Sequence, residues 1–294
     1  MTEEDTTEAE GLTAEDAFAL VGNELRAEVL RVLGEVPHEG LSFSELRSRV
    51  DEDVDSGQFN YHLQKLVGPF VEDTDGGYVL RAPGLSLYRA IQSGAFNRER
   101  SVGPFGAGFD CYFCATPVEA SYEDGSFRLT CPGCDHLFAS TMLPPSAVEG
   151  ETAELLARVD QYNRHRMLLA SRGVCPVCVN PLDLEFVPPE EVWSEGSERL
   201  EVFVHRDCPH CGRSQHMTVG LALLYHPALI SFFYDHGVDL TAVNHWELEF
   251  VLSDHHTTVR SRNPWKVELS VTRNGETLEL VVNEALNVVE TARG

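Results

Sequence analysis

Residues 41–81, LSFSELRSRVDEDVDSGQFNYHLQKLVGPFVEDTDGGYVLR, decide the fold of the first third of the chain. Ser42 followed three residues later by Glu45 has capping-box spacing, which predicts a helix over FSELRSRV. The acidic stretch Asp51 to Asp55 breaks it, and Asp55 followed by Gln58 predicts a second helix from about Ser56 to Val67. Phe59, Leu63 and Leu66 fall at i, i+4 and i+7 and mark its buried face. The opposite face carries Ser56, Gln58, Asn60, Tyr61, Gln64 and Lys65, side chains able to donate and accept at base edges in a major groove. Gly57, near the helix start, would allow close approach to a sugar-phosphate strand. Pro69 ends the helix. Phe70-Val71 and Tyr78-Val79-Leu80 then flank Asp75-Gly76-Gly77, a hairpin turn signal, with Arg81 at its exit. Two helices and a hairpin are the pattern of a helix-turn-helix with a wing. A small helical domain whose polar face only meets water, or a winged helix that binds protein, is the competing reading of the same residues.

Working outward, MTEEDTTEAEGLT (1–13) is too charged to bury anything and is expected to be a disordered acidic tail. Thr13 or a neighbour should cap one helix running through Gly34, with Phe18, Val21, Leu25, Val29 and Leu33 at near-helical spacing. Past the hairpin, Pro83-Gly84 is read as a turn into LSLYRAIQSGAF, where Leu85, Tyr88 and Ile91 form an apolar stripe. SVGPFGAGFD reads as a Gly/Pro linker that closes a DNA-binding domain over 14–100.

VGNELRAEVLRVLGE, SFSELRSRV, GQFNYHLQKL and the GGYVL wing together resemble the winged-helix domain of ArsR-type regulators, in the form found among halophilic archaea. The resemblance covers about the first third of the chain. It implies binding to double-stranded DNA, a homodimer on a two-fold operator, and a helix beyond the wing that often builds the dimer interface. Whether the Leu85 stripe serves that interface or packs on its own domain is open from sequence. The resemblance also implies zinc-ribbon and C-terminal modules after the winged helix, without naming a ligand for them.

All eight cysteines fall in four C-x2-C pairs: Cys111/Cys114, Cys131/Cys134, Cys175/Cys178 and Cys208/Cys211. Two thiolates on a tight knuckle reach one ion and a second knuckle completes its shell, so the pattern predicts two four-cysteine sites and two zinc ions. Iron is chemically possible and less common at this spacing. Disulfides do not suit a reducing cytoplasm. Sixteen residues separate the first two pairs and 29 the last two, so an insertion is expected at PPEEVWSEGSE. Four thiolates leave no position for water, which makes the sites structural. His136, His205, His210 and His216 lie near the knuckles and read as surface groups or supports of the ligands.

The predicted architecture is α+β and multidomain. A first zinc ribbon at 101–145, a connecting helix at 146–172, a second ribbon at 173–220 and a helix with an antiparallel sheet at 221–294 follow the winged helix. The connecting helix should end at Gly173 with Leu155, Val159, Tyr162 and Leu169 inward. Its Arg158, Arg164, His165, Arg166 and Arg172 could touch a phosphate backbone or pair with acidic neighbours. In the tail, a helix after His226-Pro227 should stop at Gly237, and WELEFVLSD, WKVELSVTR and ETLELVVN alternate like strands, the last two joined by Asn274-Gly275. Phe232, Phe233, Tyr234, Trp246, Phe250 and Trp265 read as core, with an effector pocket as the less expected role.

Composition bounds the function. The 294 residues carry a formal charge of −25, and of 22 bases only Lys65 and Lys266 are lysine, a bias that resembles proteins of salt-loaded cytoplasm. In molar salt the Debye length shrinks to about 3 Å, which screens the self-repulsion of so acidic a chain. Residues 1–100 hold 9 bases and 20 acids, the reverse of a basic DNA footprint, so contact geometry would have to carry binding. With no signal peptide and no apolar run long enough to span a bilayer, the expectation is a soluble cytoplasmic protein. No nucleophile with a base, phosphate loop or open metal site is visible, so no enzyme is expected. A DNA-binding transcription regulator is the leading reading; an RNA-polymerase-associated transcription factor or protein-interaction module is the alternative.

Overall fold

The computed structural model describes residues 12–51, 53–192 and 196–294. Residues 1–11 of the expected acidic tail, and the middle of the expected acidic insertion, lie outside the described residues. The chain divides into two compact units, Met1–Arg98 and Glu99–Gly294. Among the described residues no helix is long and apolar enough to cross a membrane.

The first unit begins with a departure from expectation. Residues 14–35 form two helices, α1 (Ala14–Val21) and α2 (Glu24–Glu35), instead of one. Gly22 closes the first, and the Asn23 side chain accepts from Arg26 N–H to cap the second. Helix α3 (Phe43–Val50) starts with the expected capping box, Ser42 and Glu45 each accepting from the other's backbone N–H. Helix α4 (Ser56–Leu66) is capped by Asp55, which accepts from the N–H groups of Gly57 and Gln58. Strands β1 (Val71–Thr74) and β2 (Gly77–Leu80) pair antiparallel, and Leu41 bridges to Tyr78 on the other edge of β2.

Pro83-Gly84 is not a turn. Both residues lie in the first turn of α5 (Ala82–Gln92), where proline's missing N–H would have had no intrahelical partner. Tyr88 of that helix lies against Gly34 of α2 so closely that a Cβ on Gly34 would stand 2.3 Å from its ring. Tyr88 therefore packs on its own unit, while Leu85 and Ile91 remain half-buried. The core gathers Val29, Leu30 and Leu33 of α2, Leu46 of α3, Phe59, Leu63 and Leu66 of α4, and Val71 of β1, all at or near zero exposure. Each such side chain contributes about 1.5–3 kcal/mol of burial.

The second unit opens with a four-stranded antiparallel sheet: β3 (Val102–Asp110), β4 (Pro117–Glu123), β5 (Ser126–Thr130) and β6 (Leu137–Met142). Its first strand is the stretch expected as a linker. An edge strand tolerates Pro104 and the glycines because only one side must pair, and its register shifts twice against β4. Helix α6 (Thr152–Ser171) follows, ending with Gly173 at φ 77°, as the glycine stop predicted. The second cysteine region carries β7 (Asp183–Val187), β8 (Phe203–Asp207) and β9 (Ser214–Met217).

The apolar run VGLALLYHPALISFFY becomes two helices, α7 (Val219–Leu223) and α8 (Pro227–Asp235), the second beginning at proline and followed by Gly237 as expected. WELEFVLSD is not a strand. It forms a 3-10 turn, His245–Glu247, and a short helix α9 (Glu249–Leu252). Trp246, Leu248, Phe250, Val251 and Leu252 are all buried, so burial does not alternate as a half-exposed strand requires. Gly220 of α7 meets this segment so tightly that a Cβ there would fall 1.6 Å from the Phe250 carbonyl oxygen. The terminal sheet is a meander of β10 (Thr257–Arg262), β11 (Trp265–Arg273), β12 (Glu276–Asn283) and β13 (Val288–Arg293). Asn274-Gly275, both at positive φ, turn β11 into β12 as the hairpin signal predicts. One continuous core joins this sheet, both cysteine regions and α6. Phe232, Phe233, Trp246 and Phe250 belong to it, Trp265 packs at its edge, and Tyr234 is exposed.

Candidate metal centres and nucleic-acid interface

Each cysteine pair occupies a tight turn built the same way. The N–H of the first cysteine donates to the carbonyl five residues on, at Thr116, His136, Asn180 and Arg213, over 2.8–3.0 Å. The residue after the second cysteine donates back to the first cysteine's carbonyl: Ala115 to Cys111, Asp135 to Cys131, Val179 to Cys175 and Gly212 to Cys208. That residue is left-handed in all four turns, at φ 56°, 57°, 65° and 69°. Only the last is glycine, so three knuckles hold side chains in a conformation that costs an L-residue about 1–2 kcal/mol.

The turns meet in pairs. The Cys111–Cys114 knuckle joins β3 to β4 and the Cys131–Cys134 knuckle joins β5 to β6, so one sheet brings both to the same end. Sγ atoms lie 3.7 Å apart for Cys111 and Cys134, and 3.4 Å for Cys114 and Cys131. In the second region the Cys208–Cys211 knuckle joins β8 to β9, and the Cys175–Cys178 knuckle sits inside a bridge between Val174 and Pro181. Its sulfurs stand 3.6 Å (Cys175–Cys211) and 3.5 Å (Cys178–Cys208) apart. Within each cluster all four sulfurs lie inside 4.8 Å of one another.

Four sulfurs around an ion at about 2.3 Å would be spaced about 3.8 Å apart, so either cluster could hold a tetrahedral metal ion. Local groups favour thiolate at Cys114 in the first cluster and at Cys175 and Cys178 in the second; burial raises Cys175, but the backbone N–H groups of Cys178 and Val177 outweigh it and lower that thiol. The Thr116 hydroxyl, 3.4 Å from Cys114 Sγ, brings that thiol down to about 6. Asn180 Nδ2 donates to Cys178 Sγ at 3.4 Å and does the same there, also to about 6. Burial pushes Cys131 the other way, to about 12, a cost that a bound cation would remove. Of the neighbouring histidines, none bonds a cysteine sulfur among the described residues, and His210 is exposed. His136 is buried, with Nδ1 3.1 Å from the Gly196 carbonyl, and His205 stacks on His216 at 4.4 Å.

In the first unit, α4 buries Phe59, Leu63 and Leu66 while Ser56, Gln58, Asn60, Tyr61, Gln64 and Lys65 are all exposed. Lys65 Nζ lies 5.6 Å from the Tyr61 ring centroid. Arg81 is exposed too, but its guanidinium donates to the Gly68 carbonyl and so braces the end of α4 against the hairpin exit.

Helix α6 differs most from its reading. Leu155 and Val159 are buried as expected, whereas Tyr162 and Leu169 are 43% and 44% exposed. Asp160, Asn163 and Arg164 take inward positions instead. Arg164 Nε donates to Asp160 Oδ2 at 2.9 Å and Nη1 donates to the Leu240 carbonyl at 2.7 Å. Asp160 Oδ1 accepts from His245 N–H at 2.7 Å and lies 2.6 Å from His245 Nδ1. Burial opposes ionisation of Asp160, but the bonds from His245 and Arg164 prevail and hold it below the usual carboxylate range. The i, i+4 spacing of Asp160 and Arg164 was visible in sequence; their closure by His245, 85 residues away, was not. Arg164 is thus unavailable to any phosphate, and Arg158 is spent on Glu154 and the carbonyls of Ala147 and Glu149.

No curated protein and no solved structure matches the chain. Residues 14–91 match a domain of unknown function, DUF7347, and residues 108–288 match a second, DUF7351. The latter match spans both cysteine clusters, α6 and most of the terminal sheet, and it covers more than half of the chain. The chain belongs to the DUF7351 family.

Proposed function

We propose that this protein is a DNA-binding transcription regulator, a homodimer that reads a two-fold operator through α4 and the β1–β2 wing. One observation carries the reading. All six polar side chains on one face of α4 are exposed while its three apolar anchors are fully buried, so the helix offers a row of hydrogen-bonding groups on a rigid base. In this reading Arg81 supports the wing and does not reach a base. The two clusters hold zinc, whose closed four-thiolate shell stabilises the second unit without catalysis. The acid-rich surface fits work in a salt-loaded cytoplasm.

The test is genome-wide occupancy by chromatin immunoprecipitation in the native cell, repeated with Asn60→Ala/Tyr61→Ala. The proposal expects a few sharp, two-fold symmetric sites that disappear in the variant. A polymerase-associated factor is the second reading, favoured by the acid excess of residues 1–100. It expects broad occupancy at active promoters, indifferent to the same substitutions.

A further inference from the structure

The three strands of the second cysteine region join groups that are far apart in sequence. His205 on β8 has Nδ1 2.9 Å from Glu185 Oε1 on β7, 20 positions away, and Nε2 2.8 Å from Ser214 Oγ on β9, nine positions away. Register explains the meeting. Glu185 and His205 are direct cross-strand partners, His216 faces His205 from the other side, and Ser214 stands two residues before His216 on the same face of β9. An ionised carboxylate can only accept, so the imidazole proton belongs on Nδ1, and Nε2 is left to accept from the Ser214 hydroxyl.

The surroundings hold this arrangement and leave it open to a solute. His216 stacks on the His205 ring at 4.4 Å and 12°, which fixes the tilt of that ring. Burial first, and the neighbouring His205 second, keep His216 below the usual imidazole range, so it stays neutral beside a ring that must take up a proton. Ser214 and Glu185 are exposed, and His205 is partly buried between them. Cys208 N–H donates to the Arg213 carbonyl, which makes Asp207–Ser214 and His205–His216 the non-bonded pairs of the β8–β9 ladder. Strand β9 is the edge of its sheet, so the Ser214 N–H points away from β8 on the outer side, next to its own Oγ.

We propose that Ser214, His205 and Glu185 form a hydrolytic site for activated, unhindered carboxylic esters. Ser214 Oγ attacks the ester carbonyl carbon as its proton passes to His205 Nε2, and Glu185 holds the resulting imidazolium at Nδ1. The Ser214 N–H is placed to donate to the oxyanion. The tetrahedral adduct collapses with cleavage of the ester C–O bond, and the leaving alkoxide takes the proton from Nε2. Water then adds to the acyl-serine through the same proton relay, which releases the carboxylic acid and restores the hydroxyl. The setting selects the substrate class. An open sheet face with one backbone donor offers little binding or oxyanion stabilisation, so the ester must bring a good leaving group and little bulk at its carbonyl. This site is independent of the operator reading and of any metal chemistry.

The experiment uses the full chain with its metal, shown to be folded by far-UV circular dichroism in its KCl buffer. It follows p-nitrophenolate release from p-nitrophenyl acetate, and maps by peptide mass spectrometry the residue modified by a fluorophosphonate, whose phosphorus takes the serine oxygen and expels fluoride. Wild type should hydrolyse the ester faster than buffer and carry the phosphonyl group on Ser214. Ser214→Ala should lose that modification and, with it, about 10²-fold or more of the rate above buffer. Glu185→Gln, an exposed change on another strand, should slow both reactions while metal content and circular dichroism stay as in wild type. If Ser214→Ala sheds metal, Glu185→Gln decides alone. Modification mapped to a cysteine or to another hydroxyl, with Ser214 untouched, overturns the proposal. So does a Ser214→Ala or Glu185→Gln chain that hydrolyses the ester as fast as wild type.

Discussion

The two cysteine clusters share one knuckle design and differ in what supports it. In the first, both knuckles hang from one four-stranded sheet, and Phe109, Tyr112, Phe113 and Phe138 pack around them in stacked and edge-to-face pairs. In the second, one knuckle has a hairpin and the other has only a single bridge. That knuckle leans on the end of α6, through bonds from Val174 N–H to the Leu169 carbonyl and from Leu182 N–H to the Gly173 carbonyl. Helix α6 is in turn pinned by the buried Asp160–Arg164–His245 network. Ligand chemistry is the same at both sites, so any difference in their stability measures the scaffold.

The largest expected effect comes from a ligand. Cys131→Ser should lower metal content from two ions per chain to one, by inductively coupled plasma mass spectrometry, and remove hydrogen-exchange protection across β3–β6. Structural zinc in a four-ligand site is worth about 10–16 kcal/mol, far above what one small sheet retains alone. Loss of both ions together would show that the clusters are one cooperative unit and erase the contrast.

Next comes the pin under α6. Arg164→Met leaves the Asp160 carboxylate buried without its guanidinium and should cost about 3–5 kcal/mol. The second cluster should then surrender its metal to a chelator sooner than the first. Equal sensitivity would mean that α6 supports both alike, as the Thr141 hydroxyl bond to Asn163 allows.

Acid offers a graded version. Because the folded pKa of Asp160 is depressed, its stabilisation is complete above the unfolded value of about 3.9 and is lost as pH falls through the folded value. Thermal melts from about pH 7 to about pH 3 should show this contribution disappearing below about pH 4, and Asp160→Asn should remove that part of the pH dependence. An identical acid profile in the variant would locate the acid-labile group elsewhere.

The smallest effect concerns the knuckles. Gly212 has open space where a Cβ would project, so Gly212→Ala should cost only the left-handed penalty, about 1 kcal/mol. Val179→Gly should release comparable strain, offset in part by glycine's greater chain entropy, for a net gain under about 1 kcal/mol. Chemical denaturation reads both. A destabilised Val179→Gly would mean that the exposed valine side chain contributes packing there.

Much of this was legible in the residues. The Ser42–Glu45 box, the anchors of α4, the Asn274-Gly275 turn, the Gly173 stop and the pairing of all eight cysteines rest on neighbours in sequence. The misreadings share a cause. SVGPFGAGFD looks like a linker until β4 pairs with it, and WELEFVLSD alternates like a strand until α7 and the core bury both of its faces. Inward positions on α6 were assigned by hydropathy, whereas a charged pair satisfied by distant groups displaced two apolar residues to the surface.

Sequence alone determined the eight thiols at knuckle spacing and the polar helix face that starts at the Asp55 cap. Those features are set within a turn or two of chain by dihedral preference, hydrogen-bond reach and periodicity. Only the tertiary structure decided that Arg164 is spent inside the core, that His245 closes on Asp160 from 85 residues away, and that SVGPFGAGFD pairs as a strand. Those outcomes depend on contacts between residues tens of positions apart, where the cost of burying a charge is met or left unmet by groups that local sequence cannot identify.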